Sequence, residues 1–299
     1  MPILRVATTG NASIDEYYRV DRIPGPDEAQ EVRESFWKFG GAATNVAVAL
    51  ARLGAYSRFI GLVGADRYGD MIVEELASKG VDTGYIGRLE LPSGRVLIIL
   101  DGEGRRAMLA IRGANSRLGP EHIEAERVLA GVEHLHFSST KPGYTSWLAS
   151  EAKRRGLTVS YDPGHAVAYR GYSYIAEALS NVDILFVNER EYEALGGESL
   201  LERYQGLVVL KLGEKGSSLP REGLAAEGFK VEARDTTGAG DAYDAAFIVC
   251  WKALGVCREC LVFANAVGAL KVTRVGAHES PSLEEVRRFL AERGYKSPI

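Results

Sequence analysis

The stretch His134–Tyr161, HLHFSSTKPGYTSWLASEAKRRGLTVSY, is the one from which the architecture can be read. His134–Ser138 is a short run suited to a strand, Tyr144–Arg155 has helical spacing, and Thr158–Tyr161 returns to a strand pattern. Gly156 stands just past the helix, where a residue of positive φ ends it. Two consecutive strands joined by a helix run parallel, with a right-handed crossover.

The same unit recurs on both sides of this stretch. Ile3–Thr8, Ser57–Val63, Ile184–Val187 and Leu207–Leu210 are short runs, apolar on both faces, as strands covered by helices from both sides must be. Between them Asn45–Leu53, Tyr68–Lys79, Pro120–Leu129 and Glu189–Leu195 read as helices, each closed by a glycine (Gly54, Gly80, Gly131, Gly196). Near the end the pattern is helical over Gly238–Leu254, Cys257–Val272 and Leu283–Arg293. The alternation predicts one α/β domain over residues 1–299, a three-layer α/β/α sandwich with a mostly parallel central sheet. Two segments, about 16–39 and 93–112, break the rhythm with apolar–polar alternation and turn signals. Asp101–Gly104 joins Val96–Leu100 to Ala107–Ile111 as a hairpin. These segments are expected to form a small antiparallel β lid beside the core.

Composition bounds the function. Hydrophobic residues are 46% and charged residues 25%, the balance of a packed chain rather than a disordered one. The 36 basic and 40 acidic residues leave a charge of −4, which offers no footprint for nucleic acid. No apolar run reaches the ~18 residues of a membrane span, and Met1–Gly10 lacks the flanks of a leader peptide, so a cytoplasmic protein is expected. Three cysteines, Cys250, Cys257 and Cys260, exclude a disulfide framework. Cys257 and Cys260 have metal-ligand spacing but no second Cys/His pair, which favours packing. Arginine outnumbers lysine 26 to 10 and glutamine occurs only at Gln30 and Gln205, a composition that points to heat adaptation.

Two glycine-rich segments carry the chemistry. No P-loop occurs, and no Gly-x-Gly-x-x-Gly follows the first strand. Asp235-Thr-Thr-Gly-Ala-Gly-Asp241 leads directly into the apolar helix Ala242–Leu254. Glycines at a helix mouth let backbone N–H groups approach an anion, and the helix dipole favours negative charge there. A plain capped turn would account for the glycines but not for two acids bracketing an anion-receptive loop. Phosphoryl transfer needs both a nest for the phosphoryl group and a carboxylate to take a proton. Phe39-Gly-Gly-Ala-Ala-Thr-Asn45 opens a second helix, where paired glycines admit a ligand and Asn45 can either cap the helix or bind a hydroxyl.

Gly40–Gly54 (GGAATNVAVALARLG) and Asp235–Phe247 (DTTGAGDAYDAAF) resemble the two signatures of the PfkB, or ribokinase-like, carbohydrate kinases. Gly10–Asp15, Gly113–Leu118, Asn188–Glu191, Leu212–Gly216 and Gly276-Ala277 are similar to further elements of that family, in order, over essentially the whole chain. The resemblance implies transfer of the terminal phosphoryl group of a nucleotide, usually ATP, to a sugar hydroxyl. It implies Asp241 as general base, with an anion hole from the N–H groups of Gly238, Ala239, Gly240 and Asp241. Asp15, Gly40, Gly41 and Asn45 would hold the acceptor, and Asn188, Lys211, Gly213, Gly216 and Asn265 would surround the nucleotide. Glu191 would organise Mg²⁺ through water. Asp235, Thr237, Arg274, Gly276 and Ser280 match a site for a monovalent cation such as K⁺ in some relatives.

Several positions depart from that pattern. Ala42 replaces the lysine of a strict ribokinase, Lys211 stands where threonine is common, and Asp162-Pro-Gly-His165 replaces the Asp-Pro-Asn of fructokinase-type relatives. The acceptor therefore stays open between sugar, sugar phosphate and nucleoside, and the donor between ATP and ADP. A catalytically inactive sugar-binding regulator is the alternative from another class, against which the retained Asp241 speaks. Arg95, Arg105, Arg106 and Arg112 in the lid would suit an anionic acceptor or be exposed hairpin charge. Trp37 and Phe39 read as lid packing or as a stacking platform for a base, and His134 and His136 as packing. Val20, Val32, Phe36, Val96, Ile98 and Leu100 are apolar lid positions, and a homodimer joined through the lids is expected.

Overall fold

Residues 3–299 are described by the computed structural model; Met1 and Pro2, the first residues of the segment read as lacking leader character, lie outside them. The strands are β1 (Arg5–Gly10), β2 (Ser13–Arg19), β3 (Glu34–Gly40), β4 (Tyr56–Gly64), β5 (Val81–Asp82), β6 (Ile86–Leu89), β7 (Gly94–Leu100), β8 (Arg106–Ile111), β9 (His134–Ser138), β10 (Thr158–Asp162), β11 (Ile184–Asn188), β12 (Leu207–Lys211), β13 (Gly216–Leu219) and β14 (Leu224–Glu227). The helices are α1 (Ala42–Arg52), α2 (Arg67–Ser78), α3 (Ala125–Leu129), α4 (Pro142–Arg154), α5 (His165–Ala168), α6 (Tyr172–Leu179), α7 (Glu189–Ala194), α8 (Glu198–Arg203), α9 (Ala239–Leu254), α10 (Arg258–Val272) and α11 (Leu283–Ala291).

The central sheet runs β14-β13-β12-β11-β10-β9-β1-β4-β5, with β6 beside β4. It is parallel from β12 through β5, and β13 and β14 add an antiparallel edge. One apolar layer packs Leu135, Phe137 and Tyr161 against α4 and α6 through Leu148 and Ile175. The other packs Val6 and Phe186 against α1, α9 and α10 through Leu50, Phe247 and Phe263. These are the three expected layers, because central parallel strands alternate their apolar side chains between two helical faces.

The expected helix Pro120–Leu129 is realised only as α3. Gly119-Pro120 opens a turn closed by the His122 N–H on the Gly119 carbonyl (3.1 Å), and helix begins after it. The strands run one or two residues past the expected ends, to Gly10, Asp162, Asn188 and Lys211. Gly10 pairs with Ser138 and Ser138 with Asp162, so polar residues line up along the carboxyl edge of the sheet. In doubly wound sheets that edge is where ligands bind.

The lid is a four-stranded sheet in the order β3-β2-β7-β8. Its two antiparallel pairs, β2–β3 and β7–β8, meet through a parallel contact between β2 and β7. Asp15, Tyr17, Phe36, Lys38, Val96, Ile98, Leu100, Met108 and Arg106 share one face by this register; Glu16, Trp37, Leu97 and Leu109 share the other. Val20 and Ile98 are buried within the chain, Phe36, Val96 and Leu100 are half-buried, and Val32 is exposed.

Candidate functional site

The acceptor half of the site is built where the lid meets the core. Asp15 lies opposite Lys38 in the β2–β3 register, and β3 ends at Gly40, immediately before α1. A Cβ on Gly40 would lie 2.5 Å from the Asp15 Oδ2 atom, so only glycine lets the carboxylate lie flat against this turn. Burial raises the Asp15 pKa, while a hydrogen bond from Ser13 Oγ (3.2 Å) and the charges of His278 and Lys38 oppose the rise.

Asp241 stands in the first turn of α9, behind Gly238 in the left-handed conformation (φ +76°). The Ala239 N–H donates to the Thr236 carbonyl (3.2 Å) and closes the turn. The N–H groups of Gly240 and Asp241 are then the donors that helix geometry leaves open for an anion. Asn45 Nδ2 donates to Asp241 Oδ2 at 2.7 Å. Burial pushes the Asp241 pKa up to about 6, the Asn45 hydrogen bond pulls it down, and the charge of Asp162 adds to the rise. One side chain of α1 thus joins the acceptor turn at Gly40–Gly41 to a carboxylate poised near neutrality.

A cleft of about 830 Å³ opens on the other side of α9, lined among others by Gly213, Gly216, Phe229, Gly240, Tyr243 and Asn265. Its lining is largely apolar backbone and ring surface, suited to a flat base beside an anion site. Asn265 lines the cleft, but its side chain is committed: Oδ1 accepts from Ser217 (3.0 Å) and Nδ2 donates to the Ala226 and Glu227 carbonyls. It ties the edge strands β13 and β14 to α10. Asn188 and Glu191 form the capping box of α7, each side chain accepting from the other's backbone N–H. Burial and the nearby charge of Asp162 raise the Glu191 pKa. Lys211 is held by Asp162 (2.7 Å) and Asp244 (2.9 Å). Burial works against its charge, but the two carboxylates outweigh burial and hold the pKa well above the ordinary lysine value.

The sequence pattern of the pfkB family carbohydrate kinases matches residues 4–284 of this chain. The chain belongs to that family. The kinase is 37% identical to the ATP-dependent ribose-1-phosphate kinase of Halopiger xanaduensis, over 97% of this chain and 99% of that protein. It is 30% identical to the ribokinase of Staphylococcus aureus, over 95% of this chain and 99% of that one. Among solved structures it is similar to a ribokinase of Thermotoga maritima (TM-score 0.85, 31% identity, 97% and 100% of the two chains). It is also similar to Arabidopsis thaliana ribokinase complexed with ribose and ATP (TM-score 0.88, 26% identity, 96% and 98%).

Other expected residues of the kinase fall into two groups. Asp235, Thr237, Arg274, Gly276 and Ser280 converge between the loop before α9 and the loop after α10, yet much of their bonding capacity is already engaged. Asp235 accepts from the N–H groups of Thr237 (3.0 Å) and Gly276 (2.9 Å), and Arg274 pairs with Glu285 (2.6 Å). Of the lid arginines, Arg106 alone shares the Asp15 face; Arg95 pairs with Glu16 on the opposite face and Arg105 with Asp101 in the hairpin turn. Arg112 is exposed. Phe39 stacks on His278 and Trp37 packs edge-on against Phe39. His134 and His136 are buried in a ladder of hydrogen bonds running Thr158–His134–Ser160–His136–Ser138. Cys257 and Cys260 lie with sulfurs 3.4 Å apart at the start of α10. Among the described residues no helix is long and apolar enough to cross a membrane, and no cluster of three or more His, Cys, Asp or Glu is placed to hold an ion.

Sequence reasoning missed Asp162, Asp244, Lys38, His278 and Lys271 as parts of the site. Asp244 had a signal, three residues after Asp241 on one helix and hence on its face. Lys38 had one only once the β2–β3 register was known.

Proposed function

We propose that this kinase transfers the terminal phosphoryl group of ATP to a hydroxyl of ribose 1-phosphate. The observation that carries the reading is Asp241 at the mouth of α9, bonded through Asn45 to the helix that forms the acceptor turn. With Asp15 holding a neighbouring hydroxyl, the Asp241 carboxylate accepts the proton of the attacking one. The new oxygen–phosphorus bond forms as the bond to the bridging oxygen breaks, and ADP leaves. The Gly240 and Asp241 N–H groups donate to the phosphoryl oxygens as charge builds on them. Mg²⁺ bound with the nucleotide supplies charge neutralisation. Glu191, a buried carboxylate with one oxygen left free of the capping box, would hold it through water.

Lys38 and Arg106 favour the phosphorylated sugar over ribose. Both share the Asp15 face of the lid, and the Lys38 side chain retains 24% exposure beside Asp235. The name of the 37% identical Halopiger relative points the same way. The test is ATP-dependent product formation with ribose 1-phosphate, ribose and ribonucleosides, in wild type and Lys38→Met. The reading requires the highest kcat/KM with ribose 1-phosphate and a KM for it raised roughly tenfold by Lys38→Met, with ribose little affected. A higher kcat/KM with ribose or a nucleoside, or equal loss on all acceptors, contradicts it.

Two further parts of the account belong here. A kinase using ATP and a charged sugar is expected to work in the cytoplasm, where both are retained. On the lid face opposite Asp15, Leu109 of the edge strand β8 is 62% exposed and Trp37 is 50% exposed. A homodimer joined through the lids would cover these side chains. A monomer by light scattering at micromolar concentration contradicts that assembly.

A further inference from the structure

We propose that the ammonium of Lys271 takes the place of the monovalent cation beside the anion-hole loop, so that this kinase works without K⁺. Lys271 lies in the last turn of α10 and is completely buried, which lysine almost never is without partners. Its Nζ donates to the carbonyls of Asp235 and Arg274, both at 3.4 Å. Those residues belong to the set that the family resemblance assigns to K⁺, and they border the loop that leads into Gly238. The amine therefore lies among the oxygens a free ion would need.

The helix end and the two carbonyls offer acceptors to a positive charge. The C-terminal end of a helix is the negative end of its dipole, and this one gathers the loop by accepting the N–H groups of Arg234 and Asp235 at the Val272 carbonyl. Burial and the nearby charge of Lys38 lower the Lys271 pKa, while Asp235, Asp241 and Glu279 oppose the fall. Both carboxylate oxygens of Asp235 already accept, Oδ1 from the Thr237 N–H and Oδ2 from the Gly276 N–H and Lys38. A K⁺ ion added to this cage would face an ammonium that already holds the Asp235 and Arg274 carbonyls. Lys271 is thus a positioning residue, which tethers the Asp235–Thr237 segment to the Arg274–Gly276 segment and fixes the N–H groups that follow.

The test combines a cation series with substitutions of Lys271. Wild-type turnover at constant ionic strength should be the same within ~2-fold in K⁺, Na⁺ and tetramethylammonium, because the ammonium already supplies the charge between the two carbonyls. Lys271→Ala removes the charge and opens its space. Its turnover should fall at least ~10-fold in Na⁺ and be restored by K⁺ or NH₄⁺, a coupling of ordinary allosteric size. Lys271→Met removes the charge but fills the space, so K⁺ should not rescue it. Turnover depends on the kinase reading above, whereas thermal melting does not: K⁺ over Na⁺ should raise the melting temperature of Lys271→Ala and leave wild type unmoved. Wild type that is activated or stabilised by K⁺ over Na⁺ overturns the proposal. So does a folded Lys271→Ala that no monovalent cation stabilises or restores. If Lys271→Ala does not fold in any salt, the wild-type series alone decides.

Discussion

Asn45→Ala should move the acid limb of the rate profile toward higher pH. The Asp241 pKa of about 6 is the outcome of burial, which raises it, and the 2.7 Å Asn45 hydrogen bond, which is the largest opposing effect. A hydrogen bond to a charged group is worth about 1.5–3 kcal/mol, and one pKa unit corresponds to about 1.4 kcal/mol. Removing the amide should therefore raise the Asp241 pKa by roughly one to two units. A general base works only when deprotonated, so its rate falls as pH drops through its pKa. The wild-type limb is expected near pH 6 and the variant's between about 7 and 8. The assay is kcat/KM for the acceptor from pH 5 to 9, which reports ionisations of the free enzyme. Loss of an acceptor contact would lower the whole curve without moving its limb, so the two effects separate. An acid limb that stays in place, or moves to lower pH, refutes the assignment of Asp241 as the titrating base.

Asp15→Ala should raise the acceptor KM at least ~10-fold and leave nucleotide affinity within ~3-fold, because it strips the acceptor's carboxylate partner far from the nucleotide cleft; isothermal titration of each ligand checks this. His136 is buried neutral, with burial driving its pKa down to about 3, so the unfolded chain binds the extra proton below pH 6.5 and stability is lost as pH falls. Between pH 6.5 and 4.5 this histidine should cost about 2.5 kcal/mol, and His136→Gln should remove that part of the pH dependence in urea unfolding. Lys211→Met should lower stability by about 3–5 kcal/mol, since it leaves Asp162 and Asp244 buried without their partner, and adding Asp244→Asn should recover part of the loss in thermal melting.

The architecture was legible because parallel strands and their crossover helices write their periods into the sequence. His134–Ser138 was read to the residue, and the other core strands to within two. Those strands were cut short at Thr8, Tyr161, Val187 and Leu210 because apolar periodicity ends where functional polar residues begin. The residues just past those ends, among them Gly10, Asp162, Asn188 and Lys211, line the site edge. The two glycine segments were legible for a local reason, since a helix mouth that receives an anion is built from consecutive residues. What stayed hidden depends on contacts distant in sequence. Lys211 lines the cleft beside α9, but its bonding to Asp162 and Asp244 spans 49 and 33 residues. Lys271 looks like an ordinary charged residue at a helix end, where lysine is common. Only its burial against two carbonyls from different loops distinguishes it. Asn265, conversely, was assigned to the nucleotide on family pattern, and its amide is spent on the edge strands.

The central claim is that Asp241 accepts the proton of the attacking hydroxyl while the α9 mouth holds the phosphoryl group. Asp241→Asn keeps the shape and removes the basicity, so it separates chemistry from binding more directly than any other change. Turnover of ATP with the best acceptor should fall by at least ~10², while the dissociation constant for the nucleotide, measured on the same preparation, should change less than ~3-fold. A variant that retains near-wild-type turnover, or one that loses turnover and nucleotide binding together, contradicts the account.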